Sequence, residues 1–215
     1  MADDTSKVFD PYEIAGIIVP GGTLLLGLTL LFPTIAKYAD SKGVSLGDLG
    51  IFVFASYCVG HILQEPANRI SDAVWKRTGR PVERARKPGG GLATAQVAEI
   101  PIQLKNILDV NVSLEDDDKG YAGVIRQVLA QLANAGVSTR LDIFNRYSAL
   151  FRGLALALSA IAAVAAIQHL WIYSGVAALL AWFAWLRMQR FSQYYALEVW
   201  VQFLSLPRRE TEPKP

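Results

Sequence analysis

Four apolar runs, interrupted by one polar stretch of about eighty residues, set the pattern of the chain. They cover residues 14–38, 46–63, 150–167 and 170–186. A helix needs about 20 predominantly apolar residues to cross a bilayer core, so the pattern predicts four spanning helices. In the first, Pro20, Gly21 and Gly22 predict a late start or a kink, and Pro33 lies near its far end. The residues ahead of it, MADDTSKVFDPYE, are net acidic, and no small-x-small cleavage site follows. That run is therefore expected to stay as a span rather than to be removed as a signal peptide.

Beyond residue 60 the period changes. At 100° per residue, His61, Gln64, Glu65, Asn68, Asp72 and Lys76 fall within a sector of about 120°, with Arg69 at its margin. Ile62, Leu63, Ala67, Ile70, Ala73 and Val74 lie opposite. The only breaker before Thr78 is Pro66, which bends a helix without necessarily ending it. The second span is thus expected to leave the bilayer as one long helix bearing a polar stripe. Such a stripe forms the interior of a cytoplasmic module, lines a pathway in a symmetric oligomer, or docks a soluble protein.

The rest of the central segment is helical in period. LATAQVAEI predicts a short helix and IPIQLKNILDV a helix or a strand, with Pro101 separating them. Tyr121, Val124, Ile125, Val128, Leu129 and Leu132 recur at helical spacing, and Gly136 ends that pattern. Thr139 and Asp142 form a capping box for a helix that runs into the third span. That span carries Gly153, Ala157, Ser159 and Ala163, small residues that permit close packing within a chain or between copies. The fourth run continues without a breaker to Pro207, which predicts a helix of over thirty residues, about 50 Å long. On it, Arg190, Tyr194 and Glu198 follow at i, i+4 and i+8, flanked by Phe191, Tyr195, Trp200 and Phe203. This structural charge stripe is expected to pack against the central segment. Four regions result: a hairpin of spans at 1–63, a cytoplasmic helical segment at 64–146, a second hairpin at 147–187 and a cytoplasmic helix and tail at 188–215.

Composition agrees. Of 215 residues, 52% are hydrophobic and 19% charged, and the apolar ones come in blocks, unlike a soluble domain. The net charge of +2 matters less than its placement. Eighteen Lys and Arg lie on the side of the termini and central segment, against Lys37 and Lys42 on the other, with Arg152 left to snorkel toward the richer side. By the positive-inside rule both termini are cytoplasmic and the protein is a multi-pass component of a bacterial inner membrane. Tyr38, Trp171 and Tyr173 then mark the outer interface, and Tyr12, Tyr147 and Trp185 the inner one.

Within KRTGRPVERARKPGGG, residues 76–91, Lys76, Arg77, Arg80, Arg84, Arg86 and Lys87 are candidate contacts to anionic lipid headgroups, and the glycines read as a linker. No aromatic residues interleave with these charges, so no nucleic acid is expected as a partner. DVNVSLEDDDKG, residues 109–120, is not a calcium loop: Leu114 stands where glycine is required and Gly120 where a glutamate is required. It is read instead as an acidic helix start, capped by Ser113 or the aspartates. Cys58, the only cysteine, is expected to be a buried, inert thiol.

Catalytic chemistry finds little footing. His61 and His169 fall on opposite sides of the membrane, so they share no metal. There is no HExxH, phosphate loop or nucleophile elbow. A His61–Glu65 pair resembles an acid–base pair of an interfacial lipid hydrolase, but no nucleophile or metal completes it. No catalytic residue, metal or cofactor is assigned. The expectation is an all-α membrane protein, a homo-oligomer that acts as a channel-like effector or membrane sensor, with the alternative of a scaffold docking a soluble cytoplasmic partner. No motif matches a named family. In general build the chain is similar to membrane components of bacterial antiphage systems, which implies a role in defence or stress response.

Overall fold

The computed structural model describes residues 11–32, 46–110 and 118–207, and every element among them is a helix. These are α1 (Pro11–Leu31), α2 (Leu46–Thr78), α3 (Pro81–Ala85), α4 (Thr94–Leu108), α5 (Asp118–Asn134), α6 (Thr139–Ile167) and α7 (Trp171–Leu204). Two of them, α6 and α7, are long and apolar enough to cross a membrane, while the apolar part of α1, Gly16–Leu31, is shorter. Only 28% of the apolar window of α6 and 22% of that of α7 is buried, whereas a core helix of a soluble protein is mostly buried. The contacts divide the chain into two units: residues 1–74 with 146–190, and 75–145 with 191–215.

In the first unit the helices meet through small residues. A methyl group added at Gly21 would strike the backbone of Ser56 and Gly60, and one at Gly60 would strike the Ile17 carbonyl. Only glycine permits α1 and α2 to cross so closely. On the other flank of α1, Pro20 packs on Gly153 of α6. Pro20 neither ends α1 nor delays its start; it sits buried inside the helix. The α6–α7 corner is closed by His169, whose left-handed conformation (φ 60°) lets Leu170 N–H bond the Ala165 carbonyl at 2.9 Å and His169 N–H the Ala166 carbonyl at 3.0 Å. The Ser174 hydroxyl then donates across the corner to the Ala162 carbonyl at 2.9 Å. Further along α7, Met188 is fully buried against the Ser71 hydroxyl of α2.

The second unit has a core of large side chains. Val97, Ile100, Leu104 and Ile107 of α4 meet Val124, Val128 and Leu132 of α5, with Ala196, Val199, Trp200 and Phe203 of α7 completing the cluster. The α4 positions recur at i, i+3, i+7 and i+10, one face of a continuous helix. Pro101 therefore does not separate two elements: it lies inside α4, where burial of the shared face outweighs the lost hydrogen bond. Val124, Val128 and Leu132 are buried, and Gly136 (φ 72°) closes α5 with Val137 N–H on the Leu132 carbonyl at 3.2 Å and Gly136 N–H on the Ala133 carbonyl at 3.0 Å. The start of α6 differs by one residue from the capping-box reading: Thr139 is its first helical residue, and Asp142 N–H bonds the Ser138 carbonyl at 2.9 Å. The acidic loop at 111–117, including the Ser113 cap and the calcium-loop positions there, lies outside the described residues.

The glycines at 89–91 form a packed turn rather than a linker. Gly90 lies against the Arg84 carbonyl and Ala85, and Gly91 (φ 110°) lies against Leu197. Three residues later α4 begins, with the Gln96 side chain accepting from Ala93 N–H at 3.0 Å.

Candidate functional site

The polar stripe of α2 is the first candidate. His61, Glu65, Arg69 and Asp72 are exposed, and Gln64 and Asn68 half-buried. The Arg69 Nε–H donates to Glu65 Oε1 at 2.8 Å, with side-chain exposures of 79% and 65%. An exposed i, i+4 pair of this kind contributes at most about 1 kcal/mol. His61 is not part of that pair; its ring meets Tyr57 edge-on, with centroids 4.5 Å apart. The hydrogen-bond partner of Glu65 is Arg69.

The opposite face of α2 is divided in a way its periodicity does not reveal. Leu63, Ala67 and Ser71 are buried, but Ile62 is 72% and Ile70 47% exposed. Cys58 is also exposed, not buried: α2 turns its small residues, Ser56 and Gly60, to α1 and leaves Cys58 outside that contact.

The small residues of α6 serve two faces. Gly153 and Ala157 are buried, whereas Ser159 and Ala163 are exposed. Ser159 lines an apolar groove of about 560 Å³ formed by α2, α6 and α7, together with Ala155, Ala162, Ala181 and Trp182. Arg152 lines the same groove, and Asp72 is the acidic group acting on it electrostatically. Pattern reading assigned Arg152 only to snorkelling. The signal available in the sequence was a cation five residues before Ala157 on an otherwise uncharged run; its position beside a groove needed three helices in place.

A second cleft, of about 310 Å³, is lined by Pro81, Arg84, Lys87, Pro88, Gly89, Gly90 and Gln193. Of the basic residues expected at headgroups, Lys76, Arg77, Arg80, Arg84 and Lys87 are exposed. Arg86 is not: it is only 1% exposed and cannot reach a headgroup from there. The local helix α3 explains the difference, since Pro81, Glu83 and Ala85 turn inward with Arg86 while Arg84 points out. Glu83 accepts from Arg80 N–H at 3.2 Å, which fixes the start of that turn.

The charge stripe of α7 is split. Glu198 pairs with Arg140 of α6 at 3.5 Å and accepts from Gln202 at 2.8 Å, not from Arg190. Two turns of helix separate Arg190 from Glu198, about 12 Å, too far for contact. Trp200, read as a flanking aromatic, is the centre of the second unit: fully buried, its indole N–H donates to the Val82 carbonyl at 2.9 Å. Gln103 does the same work nearby, donating to the Leu206 carbonyl at 2.9 Å. Burial, with the Asp142 carboxylate adding to it, holds the Tyr195 hydroxyl above its ordinary pKa.

Among the described residues no group of three His, Cys, Asp or Glu side chains is placed to hold a metal. Comparison with protein-family models, with curated proteins and with solved structures finds no match to the chain.

Proposed function

We propose that the chain is a four-span inner-membrane protein with cytoplasmic termini that self-associates and acts as a channel-like effector or membrane sensor, in a defence or stress pathway as its general build implies. One observation carries this reading. Over residues 61–72, α2 leaves the Glu65–Arg69 pair exposed together with Ile62 and Ile70, so both charged and apolar faces are uncovered. Ionisable side chains beside a membrane face water or a partner rather than lipid. A second copy set against this face would cover both, and a ring of copies would turn the charges toward a shared axis.

The test is ion flux from liposomes holding the purified chain. Flux is expected, altered by Glu65→Ala or Arg69→Ala, from a complex whose mass is a multiple of 23.5 kDa. A monomer that passes no ions under any imposed potential would refute the proposal. A second reading, a scaffold that docks a soluble protein, is favoured by the independent core of residues 75–145 with 191–207. In that case a co-purifying partner would be lost when the central segment is deleted, and kept when Glu65 and Arg69 are replaced.

A further inference from the structure

We propose that the groove between α2, α6 and α7 is a binding site for one anionic phospholipid, its acyl chain in the groove and its phosphate on Arg152. This rests on the reading of α6 and α7 as spanning helices.

The groove is amphipathic in one direction. Its α6 wall runs from Arg152 through Ala155 and Ser159 to Ala162, about 15 Å of helix axis. Alanines on α6 and α7 line it together with Trp182. Ser159 adds no polarity to the wall, because its hydroxyl is turned back onto the Ala155 carbonyl at 2.7 Å. A volume of about 560 Å³ is within the range of sites for small apolar ligands. The single charge lining it is cationic.

Arg152 determines the class of ligand. Among the described residues no hydrogen bond or ion pair occupies its guanidinium, and Asp72 acts on it only through space. A guanidinium presents five N–H donors in a planar fork that suits phosphate oxygens. A phospholipid satisfies the fork and fills the apolar wall with one molecule. A zwitterionic lipid fills the wall equally but adds a cationic group beside Arg152. The site should therefore prefer a net-negative headgroup.

The experiment is native mass spectrometry of the full chain purified in mild detergent, titrated with phosphatidylglycerol or phosphatidylcholine. One phosphatidylglycerol per chain is expected, bound about tenfold more tightly than phosphatidylcholine, whose choline cation is repelled by Arg152. Arg152→Gln should erase that preference and Arg152→Lys restore part of it. Ser159→Trp and Ala178→Leu should each abolish retention of either lipid; both positions are exposed, so the larger side chain enters the groove without disturbing a buried contact. Equal affinity for the two lipids overturns the proposal, as does retention unchanged by both groove-filling variants. Loss of a dimer mass in those variants, with lipid retention intact, would assign the groove to a second copy instead. Flotation of the chain with vesicles after an alkaline wash separates the two levels. A chain that fails to float refutes the spanning reading and this site with it; one that floats but retains no lipid refutes the site alone.

Discussion

In residues 75–145 and 191–207 the largest buried apolar side chains include Trp200, Phe203, Ile100, Leu104 and Leu132. In residues 16–74 and 146–190 they are mostly Ala, Ser and Gly: Ser56, Ser71, Ala155, Ala157, Ala162, Ala165, Ala177, Ala181 and Ala184. Many large apolar side chains in that unit point outward instead, with Leu30 and Ile172 more than four-fifths exposed. Two different solvents would produce this contrast. In water, removing large apolar surface drives folding. In lipid the same surface gains nothing by being hidden, so helices are held by close backbone approach and dispersion contacts between small residues. The reversal of which side chains are inside is what the proposed bilayer setting of the first unit and aqueous setting of the second would produce.

That contrast can be broken at several points. Trp200→Ala should have the largest effect, about 3–5 kcal/mol on the second unit, because it empties the centre of a core and leaves the Val82 carbonyl without its donor. Hydrogen exchange in α4 and α5 should accelerate by roughly two to three and a half decades at about 1.4 kcal/mol per decade, while α6 between residues 150 and 167 keeps its protection. Unchanged exchange in α4 would mean that the cluster does not fold as one body.

Gly60→Leu tests the other unit. The added side chain meets the Ile17 backbone, which cannot yield, so about 1–3 kcal/mol of destabilisation is expected in thermal melts of the detergent-solubilised chain. Leu30→Ala, on the exposed face, should stay within about 0.5 kcal/mol. Equal effects from the two would remove the case for packing by small residues.

A pH response is expected in the second unit. Tyr195 has its folded pKa raised by burial, so its neutral form is favoured in the fold. The stability linked to it is fully present below the unfolded value, near 10, and is lost as pH rises through the folded value. Melts between pH 9 and 11 should show this decline, and Tyr195→Phe should flatten it. A decline of the same size in the phenylalanine variant would assign it to another group.

A small effect is expected at Arg140, which is 68% exposed in its pair with Glu198. Arg140→Gln should cost at most about 1 kcal/mol, and less at high salt. Arg190→Gln should cost nothing at Glu198, since the two do not meet. A double-mutant cycle that couples Glu198 to Arg190 rather than to Arg140 would contradict the geometry.

Local pattern was sufficient for much of this molecule. The helical class, the length of α7, the buried face of α5, the turn at Gly136 and the passage of α2 through Pro66 are all legible in residue order, because periodicity, capping and chain breakers act over a few residues. The stripe on α2 was legible too, since 100° per residue fixes which side chains share a face. Which face meets what is not a local property. Gly60 and Ser56, not Leu63 alone, turn α2 toward α1; Arg86 points inward and Arg84 out; Glu198 chooses Arg140 over Arg190. Pro101 stays inside α4 because α5 and α7 bury the face it belongs to. The groove beside Arg152 exists only where three helices, far apart in the chain, leave space between them. Residue order determines the solvent each segment suits and the faces it offers; only tertiary packing determines which of those faces are covered, because contact between helices depends on atoms brought together from distant positions.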